Sequence, residues 1–288
     1  MAPIITLRGF WDSLYTSPIY PILIGYFETL FADVKQGRVY VYSIFNGVSP
    51  PPRDQRETDA LYVHFSGEGH YAPPADFDIS LIPHLPGPGI IPHPLASTDI
   101  HVNNLLPYIL NRPREPPPHQ TRFCAFVVSN GAPVERRRFF NMLNERKHVD
   151  SWGGAMNNMN GHRPPADFNS KGYFDFLSSY KFMIAFENNK IDYYLTEKLI
   201  NAYAGGCIPI YWGCPQVTEI LNPRAFLLID KAECPDMASM IEKVLALDAD
   251  DEAYRRMFAE PLFIDNKIPD MFNVKVFSQH IAEAANEL

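Results

Sequence analysis

The feature that most restricts the fold is a series of continuous or nearly continuous apolar runs in the second half of the chain, separated by stretches of helical spacing. The runs are Phe123-Cys124-Ala125-Phe126-Val127-Val128, Tyr180 to Glu187, Ile208-Pro209-Ile210-Tyr211-Trp212 and Phe226-Leu227-Leu228-Ile229. Consecutive rather than alternating apolar residues mean strands buried on both faces, which is the habit of parallel sheets covered by helices. Helices are expected from Val134 to Glu145, from Thr196 to Ala204, and near 236–247, 252–258 and 275–287. Gly205-Gly206 suits a left-handed cap at the end of the second of these. The β-α-β-α-β order predicts a Rossmann-like domain with its ligand crevice at the C-terminal ends of the strands. The glycine fingerprint GxGxxG of dinucleotide enzymes is absent.

The first half follows the same α/β logic less cleanly. An apolar run, Ile4-Ile5-Thr6-Leu7, precedes Gly9-Phe10-Trp11, and a helical pattern runs from about Pro21 to Ala32. Val39 to Phe45 and Leu61 to Phe65 read as buried strands, and Asp78 to Ile82 as a weaker one. From Pro83 to Pro118 prolines recur too densely for regular structure through most of the segment, and Arg112 to Pro118 has the composition of a semi-rigid connector. These readings divide the chain into an N-terminal domain, 1–115, a Rossmann-like domain, 116–272, and a helix, 273–288, packing back on the first.

Charge and composition exclude several classes. The net charge is −8 and the densest basic stretch is only Arg136-Arg137-Arg138, against the basic surface that nucleic-acid binding needs. That triplet reads as a solvated helix face or a local anion site. No apolar stretch is long enough to span a membrane and no signal peptide is evident, so a soluble, cytoplasmic protein is expected. Cys124, Cys207, Cys214 and Cys234 form no CxxC pair and read as reduced thiols; no histidine pair has metal-ligand spacing, so no metal is expected. Asp248-Ala249-Asp250-Asp251-Glu252 reads as helix capping and solvated charge.

The chemistry concentrates where a strand leaves the sheet, crosses a polar loop and enters a helix: Phe186-Glu187-Asn188-Asn189-Lys190, then Tyr194-Leu195-Thr196-Glu197-Lys198. Thr196 is a candidate N-cap, with Glu197 and Lys198 in the first turn. Lys198 is unfavourable there unless an anion compensates it, so this start is either a diphosphate site or a plain capped helix.

Together with Gly206-Cys207-Ile208-Pro209-Ile210-Tyr211-Trp212-Gly213 and the upstream Phe126-Val127-Val128-Ser129-Asn130-Gly131-Ala132-Pro133, this run closely resembles the signature of the α-1,3/1,4-fucosyltransferases. The specific similarity covers roughly residues 123–230 and is thin over residues 1–110. The resemblance implies a GT-B fold, two Rossmann-like domains facing across a cleft, and inverting transfer of L-fucose from GDP-fucose to a glycan acceptor, of the α-1,3 type, with no cofactor or metal. It assigns Tyr194, Glu197 and Lys198 to the donor, Glu197 on the ribose and Lys198 on the diphosphate, with Asn188 nearby. The diphosphate-clamping arginine falls at Arg136, with Arg137 as the alternative. Glu68 in Phe65-Ser66-Gly67-Glu68 resembles the family's motif for the general base, departing from it by Ser66 and Gly69; without the resemblance, an exposed glutamate in a glycine-flanked turn is the simpler reading. His64 and His70 beside it read as packing or surface residues. The rival functions are a GT-B enzyme using another nucleotide sugar and an inactive nucleotide-sugar-binding protein.

Overall fold

A computed structural model describes residues 2–229 and 236–288. In chain order its strands are β1 (Ile4–Arg8), β2 (Arg38–Tyr42), β3 (Ala60–Phe65), β4 (Ile79–Ile82), β5 (Ile90–Pro92), β6 (Arg122–Phe126), β7 (Asp150–Ser151), β8 (Tyr180–Phe186), β9 (Ile208–Trp212) and β10 (Leu227–Leu228). The helices are α1 (Ile19–Leu30), α2 (Leu95–Val102), α3 (Leu106–Leu110), α4 (Val134–Arg146), α5 (Lys171–Leu177), α6 (Glu197–Ala204), α7 (Val217–Ile220), α8 (Met237–Ala249), α9 (Asp251–Phe258) and α10 (Val274–Asn286). They form two compact units: Met1–Val102 with Ile191–Tyr194 and Ile268–Leu288, and Asn103–Lys190 with Leu195–Lys267. Each holds one all-parallel sheet, as the α/β reading expects.

In the first unit the strands lie in sequence order, β1 to β5. One face carries the aliphatic core of Leu7, Val39, Val41, Leu61, Val63, Ile79 and Leu81, closed by Phe27 and Leu30 of α1 and by Phe277 and Ile281 of α10. The other carries the tyrosines Tyr42 and Tyr62 with Phe77. The segment before β3 is rich in proline and forms only a short 3₁₀ turn, Arg53–Gln55. Arg56 stacks over the Tyr62 ring and pairs with Asp78 at 2.8 Å, while Asp78 also accepts the Tyr62 backbone N–H. Asp78 therefore staples the loop and does not begin the strand.

The proline-rich stretch is more regular than its composition predicts: β5, α2 and α3 all lie within it. Its prolines fall where they do no harm, Pro94 immediately before α2 and Pro107 in the first turn of α3. Arg112 is not part of a spacer either. It is buried in the second unit, sandwiched between the rings of Tyr203 and Phe258, and donates to the carbonyls of Phe258 and Cys207.

In the second unit the strand order is β10-β9-β8-β6-β7. The chain goes from β6 to one side for β7, then returns to the other side for β8, so the direction of winding reverses between β6 and β8. Such a reversal opens a crevice at the C-terminal ends of the two strands, where ligands of open α/β sheets bind. The end of α6 matches its sequence signal. Gly206 takes φ +82°, its N–H bonds Tyr203 O and the Cys207 N–H bonds Ala202 O, the two bonds of a Schellman cap.

Other local expectations need adjustment. Asp250 caps α9 by accepting the N–H groups of Glu252 and Ala253, but Asp248 is held by Lys147 and by Lys181 at 2.7 Å and is not solvated charge. Cys124 and Cys207 are free thiols and, like Cys214, are buried; Cys234 lies outside the described residues. Among the described residues no helix is long and apolar enough to cross a membrane, and no group of His, Cys, Asp and Glu could hold a metal ion.

Candidate functional site

The reversal point of the second sheet is built from the loop after β6, the start of α4, the loop after β8 and the start of α6. The hub is Glu187, the first residue beyond β8. Its carboxylate is fully buried; Oε1 accepts the Thr196 N–H at 2.8 Å and Oε2 accepts the Thr196 hydroxyl at 2.7 Å. Lys198 Nζ lies 3.3 Å from Glu187 Oε2, donates to Thr196 Oγ1 at 2.8 Å, and lies 3.3 Å from Glu197 Oε1. Burial pushes the Glu187 carboxyl up from its ordinary range, and the Lys198 ammonium opposes that shift.

This arrangement revises the expectation for Thr196. It occupies the N-cap position of α6, but its side chain makes no capping bond to the helix. The hydroxyl instead relays between Glu187 and Lys198. The anion that compensates Lys198 at the helix start is supplied within the protein, by Glu187 and Glu197. Glu187 reaches this place because Gly213 lies against it: a Cβ on Gly213 would overlap Glu187 Cγ and Cβ. The Glu187 N–H also bonds Trp212 O at 2.9 Å, tying the loop to the end of β9.

On the β6 side, Arg136 is only 1% exposed, while Arg137 and Arg138 are exposed. The triplet is thus solvated at two positions and buried at the first. Arg136 Nη1 donates to Asn130 O at 2.9 Å, and Nη2 donates to Phe186 O at 2.7 Å and to Asn188 Oδ1 at 2.8 Å. One guanidinium therefore clasps the loops from both strands that flank the reversal.

The sequence-derived site residues are only partly brought together. Arg136 and Asn188 touch, Glu197 and Lys198 touch, and all four belong to the second unit. Tyr194 is buried and belongs to the first unit, following Tyr193 with its left-handed φ of 56°. Glu68 also belongs to the first unit, in the turn after β3. That turn is fixed by Ser66, whose hydroxyl donates to His70 O at 2.9 Å and accepts the Glu68 N–H at 3.2 Å. The Glu68 side chain is half-buried, and its carboxylate has no hydrogen bond or ion pair among the described residues. His64 is a packing residue: it is fully buried, stacked on Phe77 at 4.8 Å, with Nε2 accepting the Ala72 N–H, and burial lowers its pKa. His70 is exposed.

Sequence reasoning missed Glu187. The available signal was a carboxylate directly after an apolar strand, a position that demands a partner. A cavity of about 620 Å³ elsewhere in the second unit, lined by Phe226, Leu228, Lys243, Leu247 and Met257 among others, includes none of these residues.

The sequence model of Glycosyltransferase family 10 (fucosyltransferase) C-term matches residues 117–261. The chain is 37% identical over 147 residues to the alpha-(1,3)-fucosyltransferase FucT of Helicobacter pylori, a match covering 51% of this chain and 29% of that protein. It is 34% identical over 132 residues to GDP-fucose protein O-fucosyltransferase 3 of Bos taurus, covering 43% of this chain and 26% of that one. The matched stretches are thus between a quarter and a third of those relatives' own lengths. A crystal structure of an alpha1,3-fucosyltransferase with GDP-fucose superposes with a TM-score of 0.68 at 22% identity, covering 98% of this chain and 90% of that chain. The fold, two parallel-sheet α/β units, is that of the GT-B class.

Proposed function

The chain belongs to glycosyltransferase family 10, and from that premise we propose that it transfers L-fucose from GDP-fucose to a hydroxyl of a glycan, with inversion and without a cofactor. The observation that carries the reading is the Glu187–Thr196–Lys198 relay at the start of α6, on the reversal edge of the second sheet. It holds an ammonium group, mostly shielded from solvent, in a fixed position beside the N–H groups of a helix N-terminus.

In this reading the diphosphate of the donor binds at that terminus. Lys198 stabilises the charge that develops on the nucleoside diphosphate as the sugar–oxygen bond breaks, and being already positioned it needs no reorganisation to do so. Arg136 adds positive potential behind the same loop and orients Asn188; its bonds to backbone carbonyls make it a positioning residue as well as the candidate clamp. Glu197, partly exposed, takes the ribose hydroxyls, and Tyr194 lines the donor. Inversion in one displacement requires a base for the acceptor hydroxyl's proton. Glu68 suits that role because its carboxylate is otherwise uncommitted and its turn is held rigid by Ser66. Transfer of the α-1,3 type is the finer part of the proposal. The relatives include both an alpha-(1,3)-fucosyltransferase and a protein O-fucosyltransferase, so linkage needs its own assay.

Calorimetric titration with GDP, GDP-fucose, GDP-mannose and UDP-sugars, with chelator present, tests the donor assignment. GDP and GDP-fucose are expected to bind, and Lys198→Ala to weaken both by about tenfold or more, the cost of one charge-assisted contact. Preference for a uridine donor, or no guanine-nucleotide binding, would overturn it.

A further inference from the structure

The parallel register of the first sheet sets Arg8, Tyr42 and His64 abreast, so the loops after β1, β2 and β3 leave the same edge side by side. The first two loops are laced together. The Ser43 N–H donates to Arg8 O at 2.9 Å and the Asn46 N–H to Gly9 O at 3.1 Å, while the Asn46 amide donates to Phe10 O and to Asp12 Oδ1. Gly9 has φ +67°, and a Cβ there would stand 2.6 Å from Ser43 O. This lacing presents two rings to solvent: Trp11, 40% exposed, and Phe45, 49% exposed, edge to face at 5.3 Å. Val48, in the loop after β2, is also exposed.

Inward, the ring series continues. Trp11 meets Phe10 at 6.1 Å, and Phe10 stacks on Phe65 at 6.2 Å with 15° between planes. Phe65 ends β3, and Glu68 follows in the next turn. Two neighbouring rings exposed to water, on the sheet edge where α/β folds bind ligands, form a surface suited to recognition. Their margin is polar, with the Asp12 carboxylate and the Asn46 amide fixed beside Trp11. A pyranose ring fits that combination: its C–H face covers an aromatic ring while its hydroxyls meet a carboxylate and an amide.

We propose that Trp11 and Phe45 form the acceptor platform, stacking a sugar ring of an oligosaccharide so that a neighbouring unit presents its hydroxyl to Glu68. The proposal rests on Glu68 being the base. Two ring contacts separate Trp11 from Phe65, so the stacked unit is not the one that reacts, and the acceptor must be at least a disaccharide. The rings select sugars with an unbroken C–H face, and Asp12 and Asn46 select the orientation.

The test uses the whole chain with N-acetyllactosamine, chitobiose and the corresponding methyl monosaccharides, in Trp11→Ala, Phe45→Ala, Trp11→Phe and, as a surface control, Ile22→Ala. Ile22 is equally exposed but lies on α1. Transfer kinetics and saturation-transfer NMR are read in parallel. Trp11→Ala should raise the disaccharide KM about tenfold or more with the GDP-fucose KM unchanged, Trp11→Phe should recover most of it, and Ile22→Ala should change neither. An unchanged disaccharide KM in Trp11→Ala and Phe45→Ala, with wild-type transfer intact, overturns the platform and leaves the enzyme. If the wild type consumes no GDP-fucose but binds a disaccharide that Trp11→Ala releases, the transferase reading fails and the carbohydrate platform stands. Neither transfer nor sugar binding by the wild type overturns both.

Discussion

His93 makes the first unit sensitive to acid in a way that can be worked out beforehand. It is fully buried, packed among Phe65, Phe277 and Tyr26, with Nε2 2.8 Å from the Tyr26 hydroxyl. Burial lowers its pKa from 6.5 to about 4. A neutral imidazole accepts the Tyr26 O–H, and charging it inside that apolar shell is unfavourable. As pH falls from 6.5 toward 4 the unfolded chain takes up the proton and the folded chain does not, so stability is lost through this window and is retained above it. With about 1.36 kcal/mol for each pH unit between the two values, the loss between pH 7.5 and 4.5 is about 2.5 kcal/mol from this residue. For a protein of this size that is a fall in Tm of roughly 5–10 °C. The perturbation is His93→Gln, which keeps an acceptor for Tyr26 and removes the titration. Its Tm should be lower than wild type at pH 7.5, and the difference should shrink or reverse at pH 4.5. Paired thermal melts at the two pH values measure it, and taking the difference between the proteins cancels contributions from the other histidines. A difference that stays constant across the window would refute the claim that His93 is held neutral.

Two further substitutions probe the second unit. Arg112→Ala removes a guanidinium stacked between Tyr203 and Phe258 and leaves the carbonyls of Phe258 and Cys207 buried without their donor. It should cost about 3 kcal/mol or more in chemical denaturation, with Arg112→Lys recovering only part because the planar stack is lost; a change within about 0.5 kcal/mol would contradict the packing argument. Gly213→Ala places a methyl group on Glu187 and should displace the Glu187–Thr196–Lys198 relay. Weakened GDP binding, by about tenfold, with near-native circular dichroism is expected, and unchanged affinity would show that the relay does not serve the donor.

Much of the second sheet was legible because burial on both faces writes itself into composition: β8 and β9 fall within the apolar runs that announce them. Where strands end was less so. Val39 to Phe45 reads as one strand, but β2 stops at Tyr42, because Ser43 to Asn46 turn away to bond the loop after β1. The run from Phe123 to Val128 likewise outlasts β6, which ends at Phe126; the Val128 carbonyl accepts the Ala155 N–H, and its backbone packs so tightly on Gly153 that a Cβ there would collide. In the proline-rich stretch, a count of prolines misled where their positions would not have. Pro94 and Pro107 stand at helix starts, where a missing N–H costs nothing.

The candidate site divides along the same line. Thr196, Glu197 and Lys198 are adjacent in sequence, and the rules for helix starts apply to them directly. Those rules then overreach, because they treat the cap as a property of the helix alone. A lysine in a first turn needs a nearby anion, and sequence offers only an external ligand or the neighbouring Glu197. The structure supplies Glu187, nine residues upstream of the cap, brought back by the loop and admitted by the bare backbone of Gly213 on a different strand's end. Lys198 therefore already meets two carboxylates of the protein itself before any donor arrives. In the proposed donor site the attraction for a diphosphate is then shared by Lys198, the α6 N–H groups and Arg136, and the service of the Glu187 relay is to fix where Lys198 points.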